Sequence, residues 1–261
     1  VAKYIAVSTR EASFDVASMS KTSTKVFVLE VMGRHAGWIA AAGGLASSPD
    51  CEIPIIILFP EITFDKTKFT AKVDEYVKKF GYCSIVVSEG VKDAEGNFLA
   101  DQGLRDAFGH AQLGGVAPVV ANIIKESLGL KYHWSVADYL QRAARHVASK
   151  TDVEQAYAMG KAAVEYALAG HNSVMPTIDR VSNAPYSWKV GMAELANVAN
   201  VEKMMPEEYI SADGFGISTA CREYLLPLIE GEDYPPYKNG LPDYVRLKNA
   251  GVQKKLGGFE I

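Results

Sequence analysis

Residues 25–46 read KVFVLEVMGRHAGWIAAAGGLA, and they contain the pattern that decides the fold. The stretch opens with an unbroken apolar run, Val26 to Leu29, that is rich in β-branched residues. A run of this length and composition predicts a strand buried on both faces, as central strands of parallel sheets are. A glycine-containing turn follows at 33–37, and small apolar residues at 38–42 then predict a helix. The order of strand, turn and helix indicates a parallel α/β unit.

The turn between this strand and this helix is suited to an anion. The first backbone N–H groups of a helix lack partners inside the helix, and the macrodipole places positive charge at the same end. Gly33 and Gly37 allow close approach of the backbone, and Arg34 can hold a phosphate with two parallel hydrogen bonds. The inferred ligand is a phosphate ester. These residues alone leave open a structural turn in which Arg34 pairs with a surface carboxylate.

Strand and helix patterns continue in alternation along the chain. Buried-strand compositions occur at 53–59 and 82–87, and an amphipathic helix pattern lies between them at 65–80. A further helix is expected at 116–128, followed by a strand-like segment at 131–137. This alternation predicts an α/β fold, a doubly wound and mostly parallel Rossmann-like sheet with helices on both faces. Ligands of such sheets bind beyond the carboxyl ends of the strands.

Composition and charge limit the classes of function. The 261 residues are 48% hydrophobic and 22% charged, which is typical of a globular protein with a sizeable core. A formal net charge of −4 without a long basic run gives no support to nucleic-acid or membrane-surface binding. The three cysteines are widely spaced and are interpreted as reduced thiols. Because no membrane-span or signal-peptide pattern occurs, a cytoplasmic location is the default expectation.

Two further places carry candidate binding residues. Glu89 follows the predicted strand at 82–87, where its carboxylate can accept hydrogen bonds from sugar hydroxyls. Taken alone, a Glu before a Gly is commonly a solvated loop residue. If the chain after 138 is helical, Arg142, Arg145 and His146 share one face and provide converging donors for a phosphate. A solvated basic face is the alternative interpretation of this trio.

A second long helix is expected at 151–169, with its amino end capped at Thr151 and Asp152. Its apolar residues recur at helical spacing and predict a stripe that faces the core. That predicted stripe consists of Val153, Tyr157, Val164 and Leu168.

The sequence VFVLEVMGRHAGW at 26–38 resembles the hexose-phosphate segment of the phosphofructokinases, in which a strand ends in EVMGR. This resemblance implies that Met32, Gly33 and Arg34 contact the sugar and its phosphate, and that Glu89, in a Ser-Glu element, holds sugar hydroxyls. It also implies that a Tyr-x-x-Arg element clamps the 6-phosphate of fructose 6-phosphate. The residues of that element are Tyr139, Leu140, Gln141 and Arg142. Arg34 and Arg142 are therefore expected to converge over one anion at the rim of the sheet.

Two basic residues stand where many ATP-dependent relatives carry arginines. Lys25 lies nine residues before Arg34, where those relatives supply an arginine across a subunit interface. A lysine keeps a point charge there but lacks the bidentate fork. His133 lies six residues before Tyr139 and would be only partly charged near neutral pH. Lys25 is the stronger of these two secondary candidates.

The longer string at 137–170, from ADYLQRAARH to EYALAG, resembles the pyrophosphate-dependent members of the family. They transfer a phosphoryl group from pyrophosphate to the C1 hydroxyl of fructose 6-phosphate in glycolysis, giving fructose 1,6-bisphosphate. The resemblance implies Mg²⁺ as cofactor, bridging donor oxygens, and a homo-oligomer, either dimer or tetramer. An ATP-dependent phosphofructokinase and a non-catalytic sugar-phosphate-binding protein are alternatives. A nicotinamide-dependent dehydrogenase ranks last, because no stretch supplies G-x-G-x-x-G after a first strand with a following acid.

The family's glycine-rich donor loop and its Thr-Ile-Asp-Asn-Asp catalytic segment precede EVMGR, and neither occurs ahead of Val26. The resemblance therefore implies a sugar-phosphate part that carries no catalytic base and no metal ligand and is inactive alone. The Thr-Ile-Asp triplet at 177–179 is interpreted as a chance match, since it follows the sugar-phosphate elements. We expect a sugar-phosphate-binding α/β domain at 1–178. An irregular C-terminal segment at 179–261 is expected to contact the donor domain and neighbouring subunits.

Overall fold

The computed structural model describes residues 1–101, 115–253, 255 and 257. Its parallel strands, numbered in chain order, are β1 (Val26–Val31), β2 (Ile55–Leu58), β3 (Cys83–Ser88) and β4 (Tyr132–Val136). They form one sheet in the order β2-β3-β1-β4. The predicted central strand, β1, therefore lies between β3 and β4, and the predicted parallel α/β fold is confirmed.

Seven α-helices accompany these strands in the described residues. Their bounds are α1 (Ala2–Met19), α2 (Trp38–Gly43), α3 (Lys66–Phe80), α4 (Val116–Leu128), α5 (Leu140–Ala143), α6 (Lys150–Leu168) and α7 (Thr219–Leu225). Two antiparallel pairs follow α6 in the chain. These are β5 (Val174–Asn183) with β6 (Tyr186–Glu194), and β7 (Tyr237–Lys238) with β8 (Leu241–Pro242).

Helices cover both faces of the sheet. Successive residues of a strand point to opposite faces, so Val28 and Leu29 contribute to different cores. Val28 packs with α3 and α4, whereas Leu29 packs with α1, α2 and α7. Both side chains are almost fully buried, and burial of each contributes about 1.5–3 kcal/mol. The unbroken apolar run of β1 thus reflects a strand with no solvated face.

The long helix α6 differs from its prediction in two ways. It begins at Lys150, and its N-cap is Ser149, whose hydroxyl accepts a hydrogen bond from Asp152 N at 3.1 Å. The predicted core stripe is also wrong, because Tyr157 is 77% exposed and Leu168 is 83% exposed. Helical spacing identifies the apolar side of a helix, but it does not tell whether another element of the same chain covers that side.

The C-terminal segment contributes directly to the core. Met205, Cys221 and Leu225 are buried in the cluster formed by α1, α2 and one face of the sheet. The predicted division at position 178 falls inside β5, which continues to Asn183. The division into 1–178 and 179–261 stays a prediction, and the second part includes regular elements as well as irregular chain.

Two thiols are protected by their surroundings. Burial raises the pKa of Cys83 to about 12 and that of Cys221 to about 11, so both stay protonated near neutral pH. Cys51 is partly exposed, and all three cysteines are unpaired, as interpreted from the sequence.

Within the described ranges, no helix combines the length and apolarity that crossing a bilayer requires.

A buried carboxylate ties β1 to the start of α4. Glu30 is 2% exposed, and its two oxygens accept hydrogen bonds from Gly115 N at 3.0 Å and Ala117 N at 2.9 Å. The first N–H groups of a helix otherwise lack partners, so the carboxylate satisfies donors that would be costly to bury. Desolvation is the largest influence on this group and raises the pKa of Glu30, while the N–H groups act in the opposite direction.

We predict that Glu30→Gln lowers the free energy of unfolding by about 1–3 kcal/mol, because the amide nitrogen would face a backbone donor. The raised pKa adds a pH dependence. The folded state binds the Glu30 proton more tightly than the unfolded state, whose pKa is near 4.5. This contribution is fully present below that pKa and is lost as pH rises through the folded-state value. The advantage of the native protein over Glu30→Gln should therefore shrink with rising pH.

Urea unfolding of both proteins from about pH 4 to about pH 8 measures this difference. Glu126→Gln, at an exposed position of helix α4, controls for the general effect of removing one negative charge. An advantage of the native protein that grows with pH, or that is absent throughout, would contradict the prediction.

Candidate functional site

The predicted site segments meet at one edge of the sheet. β1 is paired in parallel with β3 and β4, so that Val28 is opposite both Ile85 and Trp134. Parallel strands leave the sheet at the same edge. The loop after β1, the residue Glu89 after β3 and the chain after β4 therefore lie side by side, as predicted.

Two side chains from the neighbouring strand ends hold the backbone of the loop after β1. Glu89 Oε1 accepts a hydrogen bond from Gly33 N at 3.1 Å. Gln141 Oε1 accepts one from Met32 N at 3.3 Å, and the Gln141 amide nitrogen donates to the carbonyl of Asp138 at 2.8 Å. Gln141 is 1% exposed, so its orientation is fixed by packing as well as by these bonds. The backbone of the loop is thereby positioned from both sides.

Close approach in this loop requires glycine at two positions. Gly33 has a φ of +140°, and a Cβ there would lie 2.9 Å from both the Ala36 carbonyl oxygen and Ser88 Oγ. Ser88 Oγ donates a hydrogen bond to the Gly33 carbonyl at 2.5 Å. A Cβ on Gly90 would lie 1.9 Å from the carbonyl oxygen of Arg34. The β1 loop and the end of β3 are therefore in backbone contact.

Arg34 and Glu89 line an open cavity of about 530 Å³ beside this loop. Glu202 and Lys203, from the C-terminal segment, line the same cavity. Sequence reasoning missed both residues. They lie in a stretch without periodicity, more than a hundred residues from the loop along the chain, so no local signal identified them.

Gln141 and Arg142 line a second, larger cavity of about 780 Å³. The guanidinium of Arg142 stacks on the ring of Tyr139, 4.0 Å from the ring centroid. Arg34 and Arg142 thus follow strands that end at one rim of the sheet but line different cavities, and their convergence over one anion stays a prediction. The hydrogen bond from Met32 N to Gln141 connects the two cavities. Gln141 lines the larger cavity, and Met32 directly precedes Gly33, which lines the smaller one.

The predicted basic face of Arg142, Arg145 and His146 does not form. Helix α5 ends at Ala143, and Ala144 has φ −80° and ψ 64°, which interrupts the helix. Arg145 instead binds Asp233, with Nη2 lying 2.5 Å from the carboxylate oxygen Oδ1. The reason is local, since four residues of α5 are too few to bring the trio onto one face.

The remaining predicted binding residues are either largely exposed to solvent or distant from the loop after β1. Tyr139 and Leu140 are 61% and 65% exposed. Lys25 lies before β1, at the opposite edge of the sheet from Arg34, and its Nζ donates to the Ser20 carbonyl at 2.6 Å. His133 is an exposed residue of β4. Neither Lys25 nor His133 lines either cavity in this chain, and a contact across a subunit interface stays a prediction.

No preformed cluster of metal ligands stands beside the site in the residues that the structure describes. Over the described ranges, no group of three or more His, Cys, Asp or Glu side chains is arranged to hold a metal ion. Because Mg²⁺ is usually held by one or two carboxylates together with substrate phosphates and waters, Mg²⁺ as cofactor stays a prediction. Asp179 of the Thr-Ile-Asp triplet accepts a hydrogen bond from Thr177 Oγ1 at 2.8 Å inside β5. The interpretation of the triplet as a chance match stays a prediction.

Comparison with known proteins supports the resemblance to the phosphofructokinases that the sequence motifs indicate. The profile of the family described as Phosphofructokinase matches residues 5–167. The chain is 69% identical over 256 residues to the pyrophosphate–fructose 6-phosphate 1-phosphotransferase of Methylococcus capsulatus, covering 98% of this chain and 61% of that protein. It is 62% identical over 261 residues to the protein of the same name from Halomonas elongata, covering 100% and 62%.

A solved structure is also closely similar. The crystal structure of a pyrophosphate-dependent phosphofructokinase from Nitrosospira multiformis superposes with a TM-score of 0.90 at 76% identity, covering 99% of this chain and 61% of that one. The chain thus spans 61 to 62% of the length of these relatives. The profile match covers more than half of the residues and includes the loop after β1 and the chain after β4. The chain belongs to the phosphofructokinase family.

Proposed function

We propose that this chain supplies the fructose 6-phosphate site of an enzyme that transfers a phosphoryl group from pyrophosphate. The acceptor is the C1 hydroxyl of the sugar, and the product is fructose 1,6-bisphosphate. The observation that carries the proposal is the pair of hydrogen bonds by which Glu89 and Gln141 hold Gly33 N and Met32 N. The names of the similar proteins from Methylococcus and Halomonas support the choice of pyrophosphate as donor.

In this proposal the sugar phosphate lies along the loop after β1, between the two cavities. Arg142 binds the 6-phosphate in the larger cavity, because a guanidinium matches phosphate oxygens with paired donors. Glu89 binds sugar hydroxyls in the smaller cavity, where an arginine could not accept a hydrogen bond. One oxygen of Glu89 is bound to Gly33 N, and a carboxylate retains further acceptor sites for a hydroxyl.

Arg34 then lies at the end of the sugar that receives the phosphoryl group. Phosphoryl transfer depends mainly on positioning and on cations that stabilise the charge of the phosphoryl oxygens. Since the whole chain carries a formal charge of −4, this positive charge has to be local. Arg34 meets that need at the smaller cavity. We assign the general base and the Mg²⁺ ligands to parts of the enzyme other than the described residues.

The proposal extends to assembly and location. The exposed apolar residues of α6, including Val164 at 60% and Leu168 at 83%, are suited to contact with another subunit or with the donor domain. We propose a homo-oligomer, dimer or tetramer, acting in cytoplasmic glycolysis.

We predict that Arg142→Ala weakens binding of fructose 6-phosphate to the intact protein by about tenfold or more, since a charge-assisted bond to phosphate is lost. Binding of fructose, which has no phosphate, should change little in the same variant. Arg34→Ala should weaken binding of the sugar phosphate less than Arg142→Ala does, since Arg34 lies at the C1 end, which carries a hydroxyl and no phosphate. Isothermal titration calorimetry measures each affinity directly, and Arg246→Ala, at an exposed arginine that lines neither cavity, is the matched control.

Unchanged affinity in both Arg34→Ala and Arg142→Ala would refute the proposed site. The donor is tested separately by assaying the intact protein for fructose 1,6-bisphosphate with pyrophosphate or with ATP. We expect turnover with pyrophosphate, and we expect the 261-residue chain alone to be inactive. Turnover with ATP only would contradict the donor assignment while leaving the sugar-phosphate site in place.

A further inference from the structure

Residues 202–205 of the C-terminal segment, here named the strap, lie against the loop after β1. His35 Nδ1 and Glu202 Oε1 are 2.5 Å apart. Trp38 Nε1 donates a hydrogen bond to the carbonyl of Lys203 at 2.8 Å. The residues that hold the strap lie close to Arg34 in the sequence, His35 directly after it and Trp38 four positions after it.

The far end of the strap is anchored in the core. Met205 is 4% exposed, and its backbone N–H donates to Glu61 Oε1 at 3.3 Å. The same Glu61 oxygen accepts a hydrogen bond from Gly37 N at 2.9 Å, at the start of α2. One carboxylate therefore holds both the strap and the turn that follows Arg34.

Lys203 is the cation of the strap. It lines both the Arg34 cavity and a neighbouring apolar cavity, and in the latter its ammonium lies 5.7 Å from the ring centroid of Trp38 and 5.9 Å from that of Tyr224. These distances are at the long end of cation–π contact, where the attraction is small. Lys203 forms no ion pair with any carboxylate in the part of the chain that the structure describes. A change of side-chain rotamer can therefore turn the ammonium from these rings toward the Arg34 cavity, and only weak cation–π contacts oppose that change.

The charge balance of the cavity indicates what Lys203 does there. Without Lys203, the lining would present Arg34 against two carboxylates, Glu89 and Glu202, and such a lining opposes a polyanion. Glu202 is held by its contact with His35, and Lys203 supplies a second cation beside Arg34. Pyrophosphate carries several negative charges and needs more than one cation at the place where its phosphoryl group is transferred.

We propose that Lys203 is a substrate-binding residue for the pyrophosphate donor, with its ammonium binding a phosphate oxygen beside Arg34. This inference rests on the proposed function, in which the 6-phosphate is bound by Arg142 in the other cavity and the C1 end lies at Arg34. The phosphate that reaches the Lys203 cavity is then the one being transferred. The strap positions this cation through its contacts with His35, Trp38 and Glu61.

The test is steady-state kinetics of the intact protein carrying Lys203→Met or Lys203→Arg. Lys203→Met should raise the KM for pyrophosphate about tenfold, because a charged contact to phosphate is lost. Lys203→Arg keeps the charge and should recover most of that loss. The affinity for fructose 6-phosphate, measured by calorimetry without pyrophosphate, should stay within about twofold of the native value in both variants. If Lys203 had only a structural role, its substitution would weaken binding of both substrates. Lys189→Met, at an exposed lysine of β6 that lines neither cavity, is the matched control.

Several outcomes separate this inference from the proposed function. An unchanged KM for pyrophosphate in Lys203→Met would overturn the role of Lys203 and leave the fructose 6-phosphate site intact. Equal losses of pyrophosphate and fructose 6-phosphate binding would assign the strap a structural role and also overturn the inference. If the native intact protein binds fructose 6-phosphate but does not use pyrophosphate, the donor assignment and the Lys203 role fail together.

Discussion

The organisation of the site depends on two hydrogen bonds to the backbone of one loop. Glu89, at the end of β3, binds Gly33 N, and Gln141, after β4, binds Met32 N. Both bonds require β1 to lie between β3 and β4 in parallel register, because only then do three strand ends meet at one edge. A shift of β1 by one residue would turn its buried side chains to the wrong face and would displace the loop from both partners.

The same constraint favours a loop that is preorganised before any ligand binds. β1 has a hydrophobic core on each face, and Gly33 and Gly90 allow backbone contact that any side chain would prevent. The loop therefore needs little rearrangement to present its N–H groups and Arg34, and preorganised groups lose less free energy on binding. The C-terminal segment adds to this arrangement, since the Glu61 carboxylate binds both Gly37 N and Met205 N.

Sequence reasoning was most successful where local pattern and tertiary structure agree. The strand β1 was predicted from its apolar run, and helix α4 was predicted with the bounds it has, Val116–Leu128. Periodicity failed at α6, whose apolar side is exposed, because a pattern carries no information about the covering element. The break at Ala144 and the strap were also missed. His35 and Glu202 are 167 residues apart, and no local signal links positions so distant.

The central claim is that one sugar phosphate lies along the loop after β1 and joins the two cavities. The most direct measurement is a crystal structure of the intact protein with fructose 6-phosphate bound. The claim predicts the phosphate within about 3 Å of the Arg142 guanidinium, with sugar hydroxyls bound to Glu89 and Gln141 still accepting from Met32 N. A sugar phosphate bound away from this loop, or one whose phosphate does not contact Arg142, would contradict it.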